Sequence, residues 1–173
     1  MSCIVGVVNK NGVWIGADGL ATTEDGQRRP IVADKIIRNK GYLLGYAGSV
    51  RAGQLMDPHH FSPPKNILDF ADSLLHLLEE KGSVAKTTEE LLLLPINILV
   101  GYKKKLYEIL ADFQLNEVVD FSSIGTGAPY AYGSLFETSH NPNLKTEDRV
   151  MRALKAGQCF DRSTGEPFEV KKL

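Results

Sequence analysis

Two apolar runs open the chain with almost no polar interruption, Cys3-Ile4-Val5-Gly6-Val7-Val8 and Val13-Trp14-Ile15-Gly16-Ala17. The turn Asn9-Lys10-Asn11-Gly12 joins them. β-Branched runs separated by Asn and Gly read as paired strands over 3–8 and 13–18. A strand with one wet face alternates apolar and polar residues; these runs do not, so both of their faces must be covered. The opening hairpin therefore needs packed layers above and below its sheet.

The rest of the chain supplies those layers. Residues 19–27 are polar and turn-rich, and strands follow over 31–38 and 42–47, with Gly41 at their hairpin and Gly48 at the exit. A proline-rich loop over 57–64 precedes a helix over 66–80, whose apolar positions 67, 68, 70, 71, 74, 75, 77 and 78 keep helical spacing until Gly82. Strands return over 96–102, 105–112 and 121–125. Pro129 opens a helix over 127–137, as its missing N–H permits. A second helix covers 148–156, and a strand over 167–173 closes the chain. This order does not alternate as βαβ units do. At 173 residues it predicts one α+β domain, two antiparallel sheets between helical layers, a four-layer αββα sandwich.

Several functions are disfavoured by composition. A net charge of -1 leaves no basic face for nucleic acid, and Lys103-Lys104-Lys105 reads as a hairpin tip. Cys3 and Cys159 form neither a disulfide framework nor a metal-ligand spacing, which fits a reducing compartment. No apolar stretch reaches the ~20 residues that span a bilayer, and the start lacks signal-peptide regions. A cytoplasmic protein without a membrane partner is expected. His59-His60 lies in a polar loop with no further ligand at metal spacing, and His76 reads as a packed or half-exposed helix residue. Gly125-Thr126-Gly127 is no dinucleotide fingerprint, because Tyr130 stands where the third Gly belongs. The Leu91–Leu94 run reads as core or subunit contact.

The first residues carry the chemistry. Removal of Met1 would leave Ser2 with a hydroxyl and a free α-amine, a nucleophile carrying its own base. An unperturbed α-amine titrates near ~7.7–8.0, close to a useful general base at neutral pH. Asp18 ends an apolar strand, where an unpaired carboxylate is costly. Lys35 sits in a run that otherwise reads as a buried strand and needs a carboxylate, and Asp18 is the natural partner. Such a pair is either a buried ion pair that specifies the fold or a positive charge that lowers the pKa of a nucleophile and its amine.

Ser2-Cys3-Ile4-Val5 through Gly16-Ala17-Asp18-Gly19-Leu20-Ala21-Thr22 resembles the opening of proteasome β-type subunits and of the bacterial HslV peptidase. Ala33-Asp34-Lys35-Ile36 and Gly45-Tyr46-Ala47-Gly48-Ser49 continue the resemblance. So do Ile124-Gly125-Thr126-Gly127-Ala128-Pro129-Tyr130 and Asp161-Arg162-Ser163-Thr164-Gly165-Glu166, in which Thr164 and Glu166 replace a Ser and an Asp. Five ordered blocks span residues 2–166.

The resemblance implies an N-terminal-nucleophile peptidase. Ser2 would attack, its α-amine would accept the proton, Lys35 held by Asp18 would favour both deprotonations, and the Gly48 N–H would stabilise the oxyanion. Thr126, Asp161 and Thr164 would position the amine and a water. Tyr46 would floor a shallow specificity pocket, while Ala21, Thr22, Ser49 and Val50 would bind substrate. No cofactor is required; backbone carbonyls of Gln158, Asp161 and Thr164 would offer a site to a structural cation. The family also implies a homo-oligomeric ring, an ATPase unfoldase as partner and peptide or unfolded-protein substrates. This chain departs from the pattern in its Ser, where the family has Thr, and in a shortened first helix. An amidohydrolase acting on a small amide, or a ring or scaffold protein without activity, would share the same fold; retention of Met1 would leave Ser2 without a free amine.

Overall fold

The computed structural model describes residues 2–22, 27–30, 34–86 and 92–173. Strands β1 (Cys3–Asn9) and β2 (Gly12–Ala17) form the opening hairpin. β3 (Leu20–Thr22) and β4 (Arg28–Pro30) make a small ribbon, followed by β5 (Ile36–Asn39), β6 (Tyr42–Gly48) and helix α1 (Val50–Leu55). A 3-10 turn (Ile67–Asp69) leads into α2 (Phe70–Glu80), and a short ribbon pairs β7 (Ala85–Lys86) with β8 (Leu92–Leu93). β9 (Ile96–Tyr102), β10 (Lys105–Ile109), β11 (Leu115–Val118) and β12 (Phe121–Gly125) precede α3 (Ala128–Ser139), α4 (Thr146–Phe160) and β13 (Glu169–Lys172).

The two large sheets are antiparallel, in the orders β12-β1-β2-β13 and β11-β10-β9-β6-β5. Three apolar clusters separate four layers. Ile4, Val13, Ile15, Leu43, Leu99 and Leu106 pack between the sheets. Val5, Val7, Ala131, Leu135, Val150 and Leu154 join the first sheet to α3 and α4. Tyr42, Leu44, Leu55, Phe70, Leu74 and Leu78 join the second sheet to α1 and α2. Both faces of β1 are thus buried, which is why its sequence does not alternate. The αββα sandwich is as expected.

α2 follows from its apolar spacing: Phe70, Ala71, Leu74 and Leu78 form the buried face. Each large side chain there contributes roughly 1.5–3 kcal/mol of burial. The proline-rich loop is tied down by polar contacts. Asn39 Nδ2 donates to the carbonyls of Met56 and Phe61 at 3.0 and 2.9 Å, and the Tyr42 hydroxyl donates to the Pro64 carbonyl at 2.8 Å.

Several boundaries differ from the sequence reading. Lys35 lies in a bend just before β5 rather than within a strand, and 31–33 lie outside the described residues. The polar stretch after Gly19 contains β3, and β11 adds a strand that the sequence pattern does not predict. Both are three- or four-residue strands, too short to display a period. The first helix is short as expected, six residues capped by the Ser49 hydroxyl, which accepts from the Ala52 N–H at 3.3 Å.

Candidate active site

Ser2 precedes β1 directly and is 4% exposed. Its carbonyl accepts the Gly127 N–H at 3.2 Å, so the chain start is bound to the loop between β12 and α3. One residue further, the Cys3 N–H donates to Asp18 Oδ1 at 2.9 Å. β1 pairs with β2 so that Ile4 faces Ala17, which delivers Asp18 to the start of β1. Gly125, at φ +95°, completes the cradle; a Cβ there would collide with the Ser2 carbonyl.

Asp18 is a junction. Its Oδ1 also accepts from Lys35 Nζ at 2.8 Å, and its Oδ2 accepts the Leu20 N–H at 3.2 Å. Lys35 Nζ donates in addition to the Leu20 carbonyl at 2.6 Å. The Asp18 side chain has no exposure and that of Lys35 has 5%. Burial lowers the Lys35 pKa, while the charge and hydrogen bond of Asp18 partly hold it up. The amine is therefore easier to deprotonate than a free lysine.

Ser2, Lys35 and Gly48 line one cleft of about 60 Å³ together with Leu20, Ala21, Thr22, Tyr46 and Val50. Gly48 has φ +130°, and a Cβ would meet the Pro95 carbonyl, so no other residue fits there without strain. Tyr46 is 2% exposed and its phenol is pushed up, first by burial and then by the Asp34 charge. Among the described residues, Thr22 Oγ1 is one of three buried side-chain atoms without a hydrogen-bond partner, with Asn39 Oδ1 and Arg149 Nε.

A second cluster sits against the chain start. Asp161 Oδ2 accepts from Thr126 Oγ1 at 2.8 Å and from Thr164 Oγ1 at 2.7 Å, and Asp161 Oδ1 accepts the Ser163 N–H at 3.1 Å. Thr126 Oγ1 also lies 3.5 Å from the Ser2 carbonyl oxygen, a marginal distance for a hydrogen bond. Gln158 is exposed near the end of α4, and the Asp161 carbonyl accepts the Thr164 N–H at 3.1 Å. Among the described residues no three His, Cys, Asp or Glu side chains group as metal ligands.

Neither a protein-family model nor a curated protein matches this sequence. Solved structures do. BPH from Thiobacillus denitrificans has a TM-score of 0.85 at 20% identity, over 99% of this chain and 97% of that one. The same protein in complex with epoxomicin gives 0.86 at 18% identity over the same shares. Eukaryotic HslV from Trypanosoma brucei gives 0.73 at 18% identity, over 99% and 98%. The chain has the HslV fold.

On that fold the sequence-derived residues form two groups. Ser2, Lys35, Gly48, Tyr46, Ala21, Thr22 and Val50 share the cleft, with Asp18 behind Lys35. Thr126, Asp161 and Thr164 form the second group. The Ser49 hydroxyl is turned to cap α1. Sequence reasoning misses Leu20, although its carbonyl and N–H brace Lys35 and Asp18. It also misses Ser163, fully buried against Asp161. Cys3 is a packed strand residue as expected; burial raises its thiol to about 12, which keeps it protonated beside Ser2. Met1 lies outside the described residues.

Proposed function

We propose that this chain is the peptidase subunit of a proteasome-like, self-enclosing homo-oligomeric ring, with Ser2 as nucleophile after loss of Met1. One observation carries the reading: Ser2 is buried in a cleft with Lys35 and Gly48, and Lys35 is locked onto Asp18. A surface terminus would need none of these.

In this mechanism Ser2 Oγ attacks the carbonyl carbon of a peptide bond, and its proton passes to the Ser2 α-amine through a water. The Gly48 N–H takes the developing oxyanion, a contribution of about 2.7–4 kcal/mol for a well-placed donor. The C–N bond breaks as the leaving amine takes the proton, leaving an ester on Ser2. A water, deprotonated by the same amine, attacks that ester and releases the acid. Lys35 favours the deprotonated hydroxyl and amine by its positive charge, and Asp18 keeps it aimed. Thr126, Asp161 and Thr164 position the amine and water. Ala21 and Thr22 pair with the substrate backbone; both line the cleft with Ser2.

No cofactor enters any step. The last turn of α4 leaves carbonyls without helical N–H donors, and a cation on Gln158, Asp161 and Thr164 would brace the loop that carries Asp161. The substrates are peptides or unfolded chains in the cytoplasm, delivered to the ring by an ATPase. Among the described residues no helix is long and apolar enough to cross a membrane.

The test begins with the intact mass of untagged protein. Loss of Met1, hydrolysis of fluorogenic peptides that Ser2→Ala abolishes, and a mass gain of one epoxomicin on the parent alone are the expected results. A retained Met1, or an undiminished rate in Ser2→Ala, would overturn the proposal. Sedimentation separates a ring from a lone subunit.

A further inference from the structure

The cleft is assembled from both large sheets. Ser2 precedes β1 and Asp18 follows β2 in the first sheet, whereas Lys35 precedes β5 and Gly48 ends β6 in the second. The Asp18–Lys35 bond therefore spans the two sheets, and its geometry depends on how their edges are held together. β5 and β13 are the last strands of their sheets. Side chains lace these two edges: Lys171 Nζ donates to the Ile36 carbonyl at 3.1 Å, and Arg38 Nη2 donates back to the Lys172 carbonyl at 2.6 Å. Glu169 Oε1 lies 2.9 Å from Lys171 Nζ and steadies it.

We propose that Lys171 is a positioning residue of the Ser2 site: its ammonium pins the Ile36 carbonyl and so fixes the backbone from which Lys35 reaches Asp18 and Ser2. Its catalytic consequence rests on the peptidase reading above. Ile36 follows Lys35 directly and is 1% exposed. A carbonyl so placed needs a donor. Carbonyls of successive strand residues point to opposite edges, so the Tyr46 N–H of β6 serves the Lys35 carbonyl, at 3.2 Å, and Lys171 serves that of Ile36. β13 is suited to the task because it pairs with β2 so that Glu169 faces Ala17, one residue before Asp18. A single strand thus touches the residue before Asp18 and the residue after Lys35.

Without Lys171 the Ile36 carbonyl lacks its donor, and the 35–36 backbone moves toward another. Lys35 then stands less squarely between Asp18 and Ser2, its charge acts less on the Ser2 amine, and that amine keeps its proton to higher pH. The charged and titratable groups around Ser2 are Lys35, Asp18, Asp161, the Tyr46 phenol and the Cys3 thiol. Around Lys171 they are Glu169, Arg38 and Lys172, with Asp34, Asp57 and His60 lining the same cavity. Lys171 is itself a positive charge, so its removal at a distance would also help the amine hold its proton. Glu169→Gln separates the two effects. As a lost negative charge it would make the amine release its proton sooner; as a lost anchor for Lys171 it does the opposite.

Untagged parent, Lys171→Met, Lys171→Arg, Glu169→Gln and Ser2→Ala are assayed with fluorogenic peptides across the pH profile, with folding checked by urea midpoint. Lys171→Met and Glu169→Gln are expected to move the acid limb of kcat/KM upward by roughly half a pH unit, a part of the ~1–3 units that a charge at about 4–6 Å exerts, with KM nearly unchanged. Well below that limb this is roughly a 3-fold loss. Lys171→Arg keeps charge and donor and is expected to keep the parent profile. In parallel, brief acylation with an N-hydroxysuccinimide ester is read by mass spectrometry. Lys35, 5% exposed in the parent, is expected to label several-fold faster in Lys171→Met and Glu169→Gln. A limb that stays in place in Lys171→Met, or moves down in Glu169→Gln, overturns the positioning role, as does Lys35 labelling at the parent rate. A parent that cleaves nothing, or a rate undiminished in Ser2→Ala, defeats the peptidase reading instead, and the labelling alone then decides whether Lys171 holds Lys35.

Discussion

Replacing Lys35 by Met keeps the length of the side chain and removes its charge. Asp18, with no exposed side-chain surface, would keep the Cys3 and Leu20 N–H donors but lose its counter-ion. Leaving one partner of a buried pair uncompensated costs about 3–5 kcal/mol. For a chain of this size each kcal/mol moves the midpoint by about 2–4 °C, so Lys35→Met should melt roughly 6–20 °C lower. Urea titrations of the parent and the variant measure this loss. Asp18→Asn combined with Lys35→Met removes both charges and should recover more than half of the loss. A single variant within about 1 kcal/mol of the parent, the worth of an exposed pair, would refute the buried-pair account.

Three further outcomes are expected. Gly125→Ala places a methyl against the Ser2 carbonyl at a φ of +95°; on the proposed mechanism a displaced Ser2 should cost on the order of 10²-fold in kcat/KM, and an unchanged rate would contradict the cradle. A thiol reagent should label Cys159 alone in the native protein and both cysteines in guanidinium, since Cys159 is exposed and Cys3 buried; two fast thiols would show that Cys3 is open. The Cys3 thiol holds its proton to about 12 in the fold, against 9.0 for an unperturbed cysteine. Its contribution is fully present below pH 9 and is lost as the pH rises toward 12. The slope approaches about 1.4 kcal/mol per pH unit, and urea midpoints in Cys3→Val should show a flatter alkaline decline.

How much of this is legible in the chain differs from element to element. β1 and β2 are, because burial on both faces leaves an unbroken apolar run. Asp18 and Lys35 are, because a carboxylate and an ammonium inside apolar segments need each other. α2 is legible from its period. β11 is not: at four residues, Leu115–Val118 is too short to show one. The Leu20 contribution is not, since a backbone carbonyl accepting from Lys35 has no signature in residue type. The seat of the Tyr46 ring against Gly53 depends on how α1 lies on β6, which only packing determines. The fold itself is readable to the level of its four layers.

The strand order β12-β1-β2-β13 has a consequence for synthesis. The β1–β2 hairpin leaves the ribosome well before the two strands that flank it, Phe121–Gly125 and Glu169–Lys172. Pairing across such separations closes large loops and comes late. Gly125, which cradles Ser2, and Asp161, which holds Thr126, both arrive after two thirds of the chain exists. The residues of β1 and β2 thus wait for residues far later in the chain before the site is whole. On the mechanism proposed above, a partly made chain holds Ser2 but lacks the surroundings that Ser2 would need to cut.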